Sequence, residues 1–239
     1  MRCVRLLLMV LIAVALLVLP NPGRTDRAPL VVLSGGATLK SAHHHIRMDS
    51  QEVTIRLKKT TYEVDAVYHF FNTGEATTEW VGFPKRGDHS KFLRFDMWVD
   101  GRNVDVSEQR DLSPDNGSTS GHIESRDSWL VHYVTFPGRS RTTIRDSYEV
   151  QHYWDNSNPR RKAIYEHGTG SYWKDAIGLA AFTIDASEIG GTKFFNVGGL
   201  PPAARRLATE NVLRYEIRNF NPAPTDRLEI TFDSGKLMP

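Results

Sequence analysis

The chain has 239 residues, of which 40% are hydrophobic and 24% charged, a balance that excludes disorder over most of the length and allows a sizeable core. Thirty Lys and Arg stand against 28 Asp and Glu; with Arg2 and Arg5 assigned to a leader, the body is neutral and has no general attraction for nucleic acid. The single cysteine, Cys3, excludes an internal disulfide and precedes the apolar run that a lipid-anchoring cysteine would have to follow.

Residues 1–25 read as a secretory signal peptide. Arg2 and Arg5 form a positive start, Leu6 to Leu19 is unbroken apolar sequence, and Pro20, Asn21, Pro22 and Gly23 break it. The run is shorter than the roughly 17–25 residues of a spanning helix. No small-x-small cleavage site follows it, so an uncleaved N-terminal anchor is the alternative. With cleavage, the protein is periplasmic or secreted and has no membrane span.

From 26 to 239 the dominant signal has period two, and it predicts an all-β, antiparallel β-sandwich with little helix. Runs at 53–57 and 62–71 come first. Leu93, Phe95, Met97 and Val99 then share one face, which leaves Trp98 on the other. Asp100-Gly101 suits a tight hairpin, because glycine accepts the positive φ such a turn needs. Residues 107–128 are rich in Ser, Asp, Asn and Gly and read as an exposed loop. Leu130, His132, Val134 and Phe136 share a face, Pro137-Gly138 reads as a second hairpin, and Ile144, Tyr148 and Val150 follow. Residues 153–162 form a candidate boundary, dividing the chain into one core or two packed β subdomains. Further β-rich runs lie at 176–185, 193–197, 212–218 and 227–232. Pro202 to Asn211 has roughly helical spacing and is the one helix candidate.

Three groups of residues invite a chemical reading. His43 and His45 flank His44; in an extended segment they share a face about 7 Å apart. They form a divalent metal site if His69 or Asp49 completes it, and a solvated histidine loop if not. Tyr165, Tyr172 and Trp173 surround Gly168 and Gly170, where aromatic faces can stack on a sugar or hold a hydrophobic peptide. The same residues can instead close the end of a β core. Trp80 and Phe83, ahead of Pro84, read as core or strand-edge residues. No hydrolase motif is present, although Glu124, Asp127, Glu149 and Asp155 supply carboxylates for glycan hydrolysis if two of them face each other. No pattern calls for a cofactor.

Several phrases resemble, in order, the bacterial family known only as domain of unknown function 4424. They begin with Gly35-Gly36, Lys40-Ser41, Ile46-Arg47-Met48 and Glu52-Val53-Thr54-Ile55. Tyr68-His69-Phe70-Phe71-Asn72-Thr73-Gly74 and Trp80-Val81-Gly82-Phe83-Pro84 follow. Later come Tyr165, Gly168-Thr169-Gly170, Trp173-Lys174, Ile177-Gly178, Asn219-Phe220-Asn221-Pro222 and Leu228-Glu229-Ile230. The triple histidine and Lys85-Arg86 depart from the family's pattern. The resemblance implies an envelope protein with a signal peptide and β structure, and it brings no catalytic residue. The combined expectation is an exported binding module whose partner is an envelope protein or a glycan. An envelope hydrolase is the first alternative, and metal binding through His43 and His45 the second.

Overall fold

The computed structural model describes residues 43–85, 91–110, 128–155, 158–223 and 226–233. The leader therefore lies outside the described residues. No helix among those described is long and apolar enough to cross a membrane. Strands in the first half are β1 (Ile46–Leu57), β2 (Thr61–Asn72), β3 (Thr77–Lys85), β4 (Phe92–Val99), β5 (Arg102–Val104), β6 (Ser107–Arg110), β7 (Ser128–Phe136) and β8 (Arg141–Gln151). The second half adds β9 (Tyr153–Asp155), β10 (Asn158–Glu166), β11 (Ile177–Asp185), β12 (Phe195–Gly198), β13 (Arg205–Ala208), β14 (Val212–Phe220) and β15 (Arg227–Asp233). The remaining helix consists of short 3-10 turns such as Gly168–Tyr172.

One sheet of eight strands runs β13-β14-β11-β1-β2-β8-β4-β5. Two smaller sheets cover its inner face: β12-β15-β10-β9, and β3-β7-β6. Strict alternation makes this possible. In β2, Tyr62, Val64, Ala66, Tyr68, Phe70 and Asn72 are buried, while the residues between them are half-exposed. The four-stranded sheet meets this face where Tyr165 packs on Phe182 and donates or accepts a hydrogen bond with Tyr68 (3.0 Å). The three-stranded sheet meets it where Phe83 packs 4.9 Å from the Tyr148 ring and Phe136 packs edge-on to Phe70.

The two halves of the sequence share one core. Strand β1 pairs in parallel with β11 through seven residues, from Ser50–Leu179 to Arg56–Asp185, and the 153–162 segment is a β9–β10 pairing inside one small sheet. The fold is thus a β-sandwich as expected, but with a mixed large sheet. A bulge at Asp49 in β1 lies against Gly178 of β11, where a Cβ would stand 2.5 Å from the Asp49 carbonyl oxygen. Only glycine admits that approach.

Other local expectations are also revised. Asp100-Gly101 does form the β4–β5 turn, with φ of 49° and 76°. Pro137-Gly138 does not close a hairpin: β7 belongs to the three-stranded sheet and β8 to the large one, so the chain crosses between layers. The β2–β3 link crosses beside it, and buried Asn72 joins the two. Its Nδ2 donates to the carbonyls of Glu75 (2.7 Å) and Phe136 (3.1 Å), and its Oδ1 accepts the Gly74 N–H. Residues 107–110 form edge strand β6 rather than loop, while 111–127 lie outside the described residues. The proposed helix instead contains exposed strand β13; Ala204, just ahead of it, is half-buried against the core, while Ala203 and Ala208 are exposed. Leu93 leaves the inner face because a bulge between Phe92 and Arg94 shifts the parity, and it is 47% exposed.

Candidate functional site

Tyr165 and Trp173 are 1% and 3% exposed, so the expected aromatic surface is largely interior. Trp173 follows the Gly168–Tyr172 turn and plugs the space between the layers, its ring 4.3 Å from Phe70 and 6.0 Å from Phe136. Burial alone pushes the Tyr172 phenol up; its ring is half-buried against the core. These three residues close the sandwich, and burial of the two larger contacts removes them from any ligand's reach.

His43 and His45 are in a bend before β1, with ring centroids 6.4 Å apart. The His43 Nδ1 accepts the backbone N–H groups of His45 (3.1 Å) and Ile46 (2.9 Å). That fixes the proton on Nε2, which donates to Glu79 Oε1 at 3.1 Å. This hydrogen bond, aided by one from Thr77, holds the Glu79 carboxyl below its usual range. Both nitrogens of His43 are engaged in tying the chain to β3, so neither is open to a metal. His69 sits on the outer face beside Thr143, and Asp49 pairs with Arg47 and Arg141. Among the described residues no three His, Cys, Asp or Glu converge.

The outer face of the three-stranded sheet carries a different aromatic pair. Trp80 of β3 is directly opposite Tyr133 of β7. Their rings stack with centroids 5.3 Å apart and planes 14° from parallel. Tyr133 remains 60% exposed and Trp80 is half-buried. The next pair along the same face, Thr78 and Thr135, presents two exposed hydroxyls 3.0 Å apart. The result is a rigid apolar platform with hydrogen-bonding groups beside it, bordered on one side by edge strand β6. The sequence marks Trp80 as a strand residue; the signal for Tyr133 is weaker and lies in the apolar parity of Leu130, Val134 and Phe136, which puts Tyr133 on the other face.

The interior holds a second unforeseen feature. Asp146 lies on the inner face of β8, 2% exposed, opposite Ala66. Burial, then the charge of Asp65, pushes its carboxyl up to about 7. Among the described residues its Oδ1 and the Nε2 of Gln51 in β1 have no hydrogen-bond partner, and the buried phenols of Tyr68, Tyr148 and Tyr165 are all pushed up, first by their burial. Glu149, three residues on, points outward, where it accepts from Thr61 Oγ1 (2.7 Å) and Lys58 Nζ (3.3 Å). Asp146 and Glu149 therefore occupy opposite faces of one sheet and do not form a facing pair. Asp155 lies in β9, and Glu124 and Asp127 lie outside the described residues.

No family model matches the sequence, and no curated protein does. A solved structure from Legionella pneumophila, of a protein described as a candidate for nutrient binding, is similar with a TM-score of 0.65 and 16% identity; the match covers 83% of this chain and 70% of that one. The likeness establishes a shared fold. An M1 zinc metallopeptidase of Deinococcus radiodurans matches at a TM-score of 0.40 and 8% identity, over 80% of this chain and 43% of the peptidase. Leukotriene A4 hydrolase of Saccharomyces cerevisiae matches at 0.46 and 8%, over 89% of this chain and 32% of the hydrolase.

Proposed function

We propose that this chain is an exported binding module that recognises a glycan through Trp80 and Tyr133. The observation that carries the reading is the 60% exposure of Tyr133 on a flat sheet face, stacked and so held rigid by Trp80. Pyranose rings present C–H faces that pack on aromatic rings, and their hydroxyls match donors and acceptors such as Thr78 and Thr135. A stacked pair loses little side-chain entropy when a ligand arrives, because the rings are already ordered. The bland alternative is that the pair only stabilises an exposed sheet, as cross-strand aromatic pairs do.

Export is supported by the positive start, the apolar run and the helix-breaking exit of residues 1–25, and by the resemblance to an envelope family. A binding role is also what the description of the Legionella protein gives for that protein. The test is a glycan array probed with the untagged protein and with a Trp80→Ala/Tyr133→Ala double variant. Saturable binding of the wild type to a defined sugar class, lost in a double variant with an unchanged circular dichroism spectrum, is expected. Equal binding by both proteins, or no sugar bound by the wild type, would overturn the reading.

A further inference from the structure

The largest sheet ends at β13, and this edge differs from the aromatic platform in chemistry and location. All four residues, Arg205, Arg206, Leu207 and Ala208, are exposed. Leu207, 43% exposed, is one of three large hydrophobics with that standing among the described residues. Among the described residues strand β13 pairs only with β14. The Thr209 N–H donates to the Val212 carbonyl at 2.8 Å, which makes these two a hydrogen-bonded pair. Antiparallel ladders alternate, so Leu207–Arg214 and Arg205–Glu216 are hydrogen-bonded as well. The N–H and C=O groups of Arg206 and Ala208 consequently point away from β14, along the open edge.

Charge selects what can pair there. Arg206 has no ion pair among the described residues, and Arg205 only approaches Glu216 at 4.0 Å. Arg205 shares the outer face with Leu207, while Arg206 projects to the opposite side, so an added strand meets a cation on either face. A second copy of this chain is disfavoured, because pairing β13 with itself gathers four arginines; basic edges guard against such self-association. We infer that β13 receives an extended acidic segment of another protein by strand addition, with carboxylates at adjacent positions meeting Arg205 and Arg206 and an apolar side chain covering Leu207.

The probe is a fluorescent heptapeptide with two adjacent glutamates among valines and threonines, and a control with lysines in their place. Fluorescence anisotropy should give saturable binding to the glutamate peptide alone, weakening as salt rises. Arg205→Glu/Arg206→Glu should weaken it by about tenfold or more, from two cross-strand pairs turned repulsive. Ala208→Pro keeps both arginines and removes one free-edge donor without touching the β14 ladder, and it should weaken binding too. Wild-type amide exchange gives a readout independent of any variant: the Arg206 and Ala208 amides should slow when the peptide is added. Equal binding of both peptides, no saturable binding, unchanged exchange at those two amides, or self-association of the protein through this edge would each overturn the inference. Loss of glycan binding in Trp80→Ala/Tyr133→Ala should leave peptide binding unchanged.

Discussion

Two aromatic groups in this molecule exchange the places their local sequence suggests. Tyr165 near the end of β10, and Tyr172 and Trp173 in the connection after it, sit around glycines, where aromatic side chains invite a surface reading, yet Tyr165 and Trp173 are core. Trp80 and Tyr133 sit in regular strands, where aromatics ordinarily mean packing, yet they form the exposed platform. Strand parity decides the second case: Trp80 and Tyr133 alternate with Val81 and Val134, which are buried in the core, and so lie on the other face of their strands. No local rule decides the first. Trp173 is buried because two layers leave a gap at the end of the sandwich between Phe70 and Phe136, and that gap exists only once strands far apart in sequence have assembled.

The largest effect that would break this comparison is in stability. Trp173→Ala removes a large buried ring and should cost about 3–5 kcal/mol in urea unfolding, enough to unfold a marginal domain. An unchanged midpoint would place Trp173 at the surface after all.

A second contrast lies within β8, between buried Asp146 and solvated Glu149, and its signature is pH dependence. With its carboxyl pushed up to about 7, Asp146 is neutral in the folded chain and ionised in the unfolded chain between about pH 4 and 7. Folding takes up a proton there, so this group's contribution falls as pH rises through that window, by an amount on the order of 4 kcal/mol. Buried His152 acts in the opposite sense. Burial pushes it down to about 4, so stability is lost as pH falls from about 6.5 to about 4, by on the order of 3 kcal/mol. Burial shifts His167 the same way. The opposing slopes flatten the wild-type profile between them. Asp146→Asn should raise stability at pH 8 and steepen the loss toward pH 4, as measured by denaturation midpoints at each pH. A variant profile parallel to the wild type's would remove Asp146 from the interior.

The smallest effect sharpens the platform's status. Tyr133→Ala should change stability by less than about 1 kcal/mol, the worth of one exposed cross-strand pair, while abolishing glycan binding. A loss comparable to that of Trp173→Ala would mean that Tyr133 holds the fold rather than a ligand.

Much of the fold was legible from alternation alone. The runs at 53–57, 62–71, 212–218 and 227–232 are strand throughout, the run at 176–185 is strand from Ile177, the run at 193–197 opens in a 3-10 turn and becomes strand only at Phe195, and Asp100-Gly101 is a turn; these depend on residues close in sequence. Sheet membership was not legible. Pro137-Gly138 has the composition of a hairpin turn, yet whether the chain folds back or crosses to the facing sheet depends on Asn72, 65 residues earlier, whose side chain ties Phe136 to the neighbouring crossing. The parallel β1–β11 pair is equally remote from local pattern. Of the site, Trp80 was visible as a strand residue, and Tyr133 and Asp146 were implied by parities already in hand. The His43 role was hidden, because its partner Glu79 approaches only when β3 is in place.

Hydroxyl-radical footprinting of the native protein, free and with the sugar that binds best, tests the glycan-platform assignment most directly. Tyr133 and Trp80 should be modified in the free protein and protected by the sugar, while Tyr165 and Trp173 remain unmodified in both. Protection that appears at Tyr165 or Trp173 and spares Tyr133 would contradict it.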